Sequence, residues 1–425
     1  MEAKSPEQGT GSTKSRTSKK SSGAPDKKSF VHDVVIVGGG LAGGVAAIHL
    51  ASRGVSTLIL EKEKGPHHKV CGEFISAEGA ELLKEIGIDL LALGAEPVRR
   101  FRLHGPHKSC EAKLPTTALG YSRLALDEKI LELAEKAGAE VRRGVVVKEK
   151  TEGLESPGGH IVLATSQGEV HARRLILATG KSEFRSYQSR TGRDSSYVGF
   201  KMHLKLKPSA ARQAREHCDL FVFDHGYGGL APIENGLFNF CFLIEKAALK
   251  KIGTDWDALA SFIAKHNWEA SRYLDGAIPQ FKQFAVVSGI PYGFLRNEPA
   301  ENGVFCVGDQ MAVIPSLTGD GMSIAAMTGR AAAMAIIDFR ARDGHLRSPT
   351  LSAVYQKEMR ARLKPQIESG YQLHLLFKRP QLCDWATYVV NAFPKITDLL
   401  FLRTRARTGA PRLKVDSAGA KRLEA

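Results

Sequence analysis

Three glycines carry the first chemical signal in this chain. Gly38, Gly40 and Gly43 stand in the spacing G-x-G-x-x-G. They follow the apolar run Val34-Val35-Ile36-Val37 and precede a segment, Leu41 to Arg53, that reads as a helix ended by Gly54. In that setting the first glycine permits a tight turn and the second lets the backbone approach a pyrophosphate. The third lets the helix pack on its sheet. The first helical turn, at Leu41 and Ala42, then offers unpaired N–H groups to an anion. A second apolar strand, Ser56 to Leu60, is closed by Glu61, eighteen residues after Gly43. A carboxylate there accepts from ribose hydroxyls and repels a 2′-phosphate. The expected resident is a dinucleotide, FAD or NAD rather than NADP.

A second glycine-rich site lies about 265 residues further on. Phe305-Cys306-Val307 ends in Gly308-Asp309; Pro315 and then Gly319-Asp320-Gly321-Met322 lead into an Ala-rich helix. Asp309 can accept from a polyol hydroxyl, and the helix start at Gly321 can point N–H groups at an electron-rich ring. FAD is long enough to need both ends, and NAD gives no reason for the second. FAD is therefore the expected cofactor. No second G-x-G-x-x-G occurs, so NAD(P)H is expected as a transient electron donor, or electrons come from a separate reductase.

These residues need a scaffold. Strand, helix and strand from Val34 to Leu60 make a βαβ opening. Helices are expected over Ala77 to Ile86 and Arg123 to Ala137, and strands over Val141–Val147, His160–Ala164 and Arg174–Leu177. Strand-like segments then dominate: Val198–Leu206, Leu220–Phe223, Leu237–Ile244 and Phe284–Ser288, with one helix from Trp256 to His266. The expected class is α/β: a Rossmann-like FAD-binding domain with an inserted, mostly antiparallel β-sheet substrate domain and C-terminal helices. The expected boundaries are a disordered basic tail over 1–29, the FAD-binding domain over 30–184 and 301–345, the substrate domain over 185–300, C-terminal helices over 346–404 and a second basic tail over 405–425.

With these motifs in place, the chain resembles the flavoprotein superfamily of p-hydroxybenzoate hydroxylase-type monooxygenases, flavin-dependent halogenases and geranylgeranyl reductases, over residues 31–345. The resemblance implies that the N-terminal glycines and Glu61 hold adenosine and pyrophosphate. It places Arg123 near the flavin and pyrophosphate, and the backbone of Val147 at the adenine. Gly308 and Asp309 match the ribitol motif; Gly319, Gly321 and Met322 match the turn under the isoalloxazine. Within the superfamily the geranylgeranyl reductases are most similar. Lys69-Val70-Cys71-Gly72-Glu73 resembles their Lys-Pro-Cys-Gly segment beside the flavin. Tyr227-Gly228-Gly229-Leu230-Ala231-Pro232 resembles their Tyr-x-Trp-x-Phe-Pro segment in the substrate channel, with Gly229 in place of Trp and Ala231 in place of Phe. Thr179-Gly180 stands where aromatic hydroxylases carry Asp-Gly, and the halogenase segment Trp-x-Trp-x-Ile-Pro does not occur.

The resemblance implies an FAD-dependent reductase of C=C bonds in a hydrophobic isoprenoid or polyketide-like substrate, with Cys71 and Tyr227 as catalytic residues supplying the proton. The alternative is an FAD-dependent monooxygenase using O2 and NAD(P)H on an aromatic or polyketide substrate. A third reading is a flavin-binding or membrane-associated scaffold, resting on Phe393-Pro394 and Leu399–Arg403. Glu73 and His68 read as solvated loop residues.

Bulk properties narrow the field. Nine of the fifteen net positive charges fall in residues 1–30 and 401–425, so the folded part is only mildly basic. No basic stripe interleaved with aromatics or zinc-finger spacing occurs, which argues against nucleic acid. The basic tails are candidates for peripheral membrane contact. The six cysteines are scattered, and no histidine–cysteine cluster has ligand spacing, so reduced thiols and no metal are expected. No secretory pattern opens the chain, and a cytoplasmic enzyme is expected, with or without peripheral membrane contact.

Overall fold

The computed structural model describes residues 31–184, 186–343, 350–393, 397, 401 and 403–405. The N-terminal tail, all of the C-terminal tail but Arg405, and Pro394, Leu399, Leu400 and Leu402 of the apolar C-terminal pair lie outside them.

The β-branched run at the start becomes the centre of a seven-stranded sheet. Val31–Val37 pairs in parallel with Thr57–Glu61 on one side and Gly168–Leu177 on the other. Glu140–Arg143 extends the first side and Val304–Cys306 runs parallel to the end of Gly168–Leu177. Ile161–Thr165 and Val147–Glu152 add an antiparallel flap. The single strand expected over Val141–Val147 is two, because Gly144 at φ +71° turns the chain between them.

Every residue of the helix Leu41–Ala51 is buried. Its small residues admit two partners at close range. A Cβ on Gly44 would lie 2.1 Å from Ile130 Cγ2, and one on Gly329 would lie 2.2 Å from the Ala42 carbonyl oxygen. The helices Arg123–Lys136 and Gly321–Asp343 therefore pack directly on it. Among the described residues, Gly321–Ala341 alone is long and apolar enough to cross a membrane. Its most apolar window is 72% buried, and it is the core helix of this layer.

A second, nine-stranded sheet is mostly antiparallel. Tyr197–Lys205, Leu237–Glu245, Gly226–Ile233 and His217–Phe223 lie side by side in it. The sheet then continues through Glu96–His104, Ser109–Gly120 and Phe74–Ile75. It thus recruits a hairpin from residues 96–120 as well as strands from 185–300. Arg99, Arg100, Arg102, Glu111 and Lys113 break the apolar alternation there, so no strand was expected. Leu230, Phe240, Phe242, Phe200 and Met202 face a core closed by the helices Trp256–His266 and Trp268–Leu274. Alternation turns Tyr227, Gly229, Ala231, Cys241, Lys201 and His203 to the opposite face. That face looks towards the first sheet. The C-terminal helices Leu351–Phe377 and Pro380–Ala392 close its far end.

Candidate active site

The glycine turn has the geometry its spacing predicts. Gly38 has φ +107°, and a Cβ there would sit 2.4 Å from the Ala178 carbonyl oxygen. A Cβ on Gly43 would sit 2.1 Å from the Gly38 carbonyl oxygen. Gly40 is the N-cap of the helix and supplies no side-chain cap, and no acidic residue occupies the first turn. A Cβ at Gly40 would lie 3.4 Å from both Arg123 Nη2 and Lys69 Nζ. Two cations, sharing the one Asp127 carboxylate between them, therefore face a bare helix N-terminus with a net positive charge, an arrangement suited to a pyrophosphate. Glu61 ends its strand beside this turn. Its Oε2 accepts from the Gly39 N–H at 2.7 Å and its Oε1 from the Glu63 N–H at 3.0 Å. Each oxygen retains a lone pair for a hydroxyl donor.

One cavity of about 780 Å³ joins this turn to the rest of the candidate site. Gly38, Gly40, Leu41, Ala42, Glu61, Arg123 and Val147 line one part of it. Gly308, Asp309, Gly319, Gly321 and Met322 line another, and so do Cys71 and Tyr227. Of the residues singled out from sequence, Gly43 is the exception; it lies beneath the turn, where helix meets strand. The walls fit an extended dinucleotide: close-approach glycines and cations at one end, a carboxylate and a helix start at the other. Beyond Tyr227 the cavity runs on between Phe101, Leu103, Leu114, Leu220, Phe377 and Val390. A lobe of this kind takes an apolar molecule.

The loop 69–73 is tied down almost residue by residue. Lys69 Nζ donates to Asp127 Oδ2 at 2.7 Å, and Lys181 donates to the Val70 carbonyl. The Asn239 amide donates to the Cys71 carbonyl at 3.0 Å. Glu73 corrects the sequence reading outright. It is fully buried at φ +53° and is no solvated loop residue. Its Oε1 accepts from the Arg123 N–H at 2.6 Å and from Lys201, and its Oε2 pairs with His203 Nε2 at 2.7 Å. Burial pushes its carboxyl up, but the His203 hydrogen bond and the Lys201 charge outweigh burial and hold it below the ordinary carboxylate value. His68 is partly buried, stacked on Phe281 at 4.2 Å, and burial with the nearby Lys201 lowers its pKa to about 4. Lys201 and His203 were invisible in sequence as partners because they lie about 130 residues away on one strand face.

Arg123 is not an exposed helix charge. Its guanidinium grips Asp127 through Nε at 2.7 Å and Nη2 at 2.8 Å, and also reaches the Cys71 thiol. Thr179 is engaged by Gln310. That amide donates to Thr179 Oγ1 at 2.8 Å and to the carbonyls of Gly180 and Ser182 at 3.0 Å. Arg190 binds the Asp309 carbonyl at 2.9 Å and the Gly180 carbonyl at 3.0 Å. The two strand-end loops are stitched together, which sets Asp309 against the cavity.

Tyr227 is buried with its hydroxyl 3.3 Å from His374 Nδ1. Burial raises its pKa well above the ordinary phenol value. His374, like Asn239, carried no sequence signal, because its partners come from other elements.

The FAD binding domain family matches residues 31–364. A menaquinone reductase of Mycobacterium tuberculosis is 27% identical over 315 residues, covering 71% of this chain and 75% of that protein. A digeranylgeranylglycerophospholipid reductase of Methanocella arvoryzae is 24% identical over 351 residues, covering 80% and 86%. A solved flavin-dependent brominase superposes with a TM-score of 0.72 at 19% identity, covering 88% of this chain and 93% of that one, and so shares the fold.

Proposed function

This chain belongs to the FAD binding domain family and is an FAD-dependent oxidoreductase, and from that premise we propose that it reduces C=C bonds of a hydrophobic isoprenoid or polyketide-like substrate with NAD(P)H-derived electrons. The observation that carries the reading is the single cavity that runs from the glycine turn past Cys71 and Tyr227 into an apolar lobe. Reductase chemistry in two relatives of similar length supports it.

In this reading Gly38, Gly40 and the first turn at Leu41 and Ala42 hold the pyrophosphate, with Gly43 keeping the helix against its strand. Glu61 takes the ribose hydroxyls, Val147 flanks the adenine, and Arg123 with Lys69 balances the phosphate charge. Gly308 and Asp309 take the ribitol, and Gly319, Gly321 and Met322 lie under the ring. Bound FAD supplies hydride transfer. The chain's own work is to hold the apolar substrate in the lobe, to exclude water and to deliver one proton. Among the side chains of the cavity wall that carry a transferable proton are the Cys71 thiol and the Tyr227 hydroxyl, the two singled out from sequence. The tethered loop 69–73 keeps Cys71 in place without an ordering cost at each turnover. Gly229 and Ala231 leave the lobe wide, which suits a branched or polycyclic substrate as well as a linear prenyl chain.

The test is anaerobic turnover with NAD(P)H and candidate alkenes, followed by product analysis. A product two hydrogens heavier, formed without O2, is expected. A hydroxylated product formed only with O2 would replace the reading by the monooxygenase alternative.

A membrane surface is the proposed source of the substrate. Leu375, Leu382, Trp385, Tyr388 and Phe393 are half of the exposed large hydrophobic residues of the described chain. Four of them lie on or beside the helix Pro380–Ala392, whose Ala386 and Val390 line the cavity. Lys108 sits 5.7 Å above the Tyr388 ring, and Lys378 and Arg379 precede the helix. Aromatic residues edged by cations suit an anionic lipid surface.

A further inference from the structure

The side chain that gives up the proton must be recharged after each turnover, and the surroundings of Cys71 and Tyr227 differ. The Cys71 thiol meets the Glu73 N–H and the Arg123 guanidinium, which Asp127 holds protonated and which therefore relays no proton. Tyr227 is placed otherwise. Its hydroxyl lies 3.3 Å from His374 Nδ1, and the other ring nitrogen, Nε2, lies 3.3 Å from Asp194 Oδ2. Asp194 in turn pairs with Lys378 Nζ at 2.9 Å, and the Lys378 side chain is 32% exposed. His374 itself has no exposed surface. A line of titratable groups thus runs from the cavity wall to the edge of the protein. At its inner end, Tyr227 also reaches Ser316, in the turn that leads to Gly319 and Gly321.

We propose that Asp194, His374 and Tyr227 form a proton wire, with Tyr227 as the acid that protonates the substrate carbon and His374 as the residue that reprotonates Tyr227. The proposal rests on the C=C reductase reading and selects between its two donors. The hydride, with its two electrons, comes from the flavin cofactor, itself supplied by the nicotinamide. The Tyr227 O–H bond breaks as a C–H bond forms on the carbon left electron-rich. The phenolate oxygen takes the proton on His374 Nδ1, and the neutral ring keeps its proton on Nε2, facing Asp194. Rotation of the ring then turns the bare Nδ1 to Asp194, where a solvent proton entering at the Asp194–Lys378 edge restores the imidazolium. One proton is consumed per C=C reduced, and no further oxidant or reductant is needed.

The groups around His374 make the imidazolium accessible yet transient. Tyr197, Tyr227, Tyr292 and Tyr371 present rings 5.4–5.9 Å from its own, and the charged groups facing it are Asp194 and Lys378. Burial lowers the His374 pKa, while Asp194 pulls it back up. Asp194 stays ionised: burial opposes this, but Ser196, Lys378 and His374 more than offset it. Because the wire needs the protonated ring, turnover should fall as pH rises through the His374 pKa.

Two measurements on the full-length protein test this. The first needs no turnover: histidine-selective NMR titration of the chain, with His374→Gln used to assign the signal. The His374 resonance should titrate at lower pH in Asp194→Asn, which removes the charge that raises it, and should shift in Tyr227→Phe. The second is the pH dependence of anaerobic alkene reduction, with flavin reduction by NAD(P)H followed separately. Tyr227→Phe should slow product formation about 10²-fold or more, the usual range for losing a general acid, while flavin reduction keeps its rate. His374→Gln should lose the high-pH fall in rate, and Asp194→Asn should move that fall to lower pH. An unchanged pH profile in His374→Gln, or a His374 signal indifferent to Asp194→Asn and Tyr227→Phe, would overturn the wire. Wild-type protein that reduces no alkene would sink the C=C reading instead, and the NMR titration would still decide whether the wire exists.

Discussion

At the scale of single residues, the burial of Glu73 with Lys201 and His203 is a costly arrangement. All three side chains are almost fully enclosed. Removing one partner from such a set leaves an uncompensated buried charge, which costs about 3–5 kcal/mol. Glu73→Gln should therefore lower the unfolding free energy by about that amount at neutral pH, read by urea denaturation. The pH dependence has a definite sign. The folded-state pKa of Glu73 lies below its ordinary value of 4.5, so its contribution is complete above that value and is lost as pH falls through the folded pKa. The gap between wild type and Glu73→Gln should then shrink below pH 4.5 and stay constant above it. A gap that is the same in acid and at neutrality would show that the carboxylate charge contributes nothing. None of this was legible in Lys69-Val70-Cys71-Gly72-Glu73, because a glutamate in a Gly-containing loop ordinarily faces water. Only the pairing of Tyr197–Lys205 into the second sheet brings Lys201 and His203 beneath it.

At the scale of elements, legibility followed locality. The turn at Gly38–Gly43 was readable because a strand, its turn and its helix are contiguous, and each glycine answers one close approach. Trp256–His266 was readable from its apolar period. The hairpin at 96–120 was not, since its exposed face is charged and its register comes from His217–Phe223, more than a hundred residues away. Nor was Gly226–Ile233 readable as a strand, because three glycines dilute its pattern. Two predictions belong here. Gly43→Ala puts a methyl group 2.1 Å from the Gly38 carbonyl oxygen, so helix and strand must part. A shift costing about 1.4 kcal/mol weakens binding tenfold. Flavin titration should show FAD affinity reduced by at least about that factor, and unchanged affinity would remove Gly43 from the pyrophosphate site. Gly229→Trp acts on the other end. It restores an aromatic to the cavity face of Gly226–Ile233, where a Cβ meets only Leu220 Cδ2 at 3.3 Å and the Asp219 carbonyl oxygen at 3.7 Å. Bulky substrates should lose turnover relative to linear prenyl chains, with FAD affinity unchanged. Equal loss for both substrate shapes would mean that Gly229 does not set the width of the lobe.

At the scale of the whole molecule, the two sheets and the C-terminal helices enclose one cavity, and the helix Pro380–Ala392 is its outer wall. Cys383 and Thr387 are buried on its inner face, while Trp385 and Tyr388 are 65% and 62% exposed on its outer face. A helix that is apolar on both sides is costly in water. The cost has a use if the outer face lies in the lipid interface while the inner face receives an apolar substrate from it. Trp385→Glu and Tyr388→Glu change side chains that meet neither the cavity nor a core, so they should alter folding stability by no more than about 0.5 kcal/mol. They place negative charge against an anionic surface and remove the aromatic contact. In vesicle flotation, the wild-type chain should rise with vesicles containing phosphatidylglycerol and far less with neutral phosphatidylcholine. The double variant should stay behind in both. Its turnover on a short, water-soluble alkene should match the wild type, while turnover on a long-chain substrate held in vesicles should drop. Flotation unaffected by the two changes would move the membrane contact elsewhere. Wild type that floats with neither vesicle would instead leave this apolar face to a protein partner, and a second copy of the chain would be sought by sedimentation.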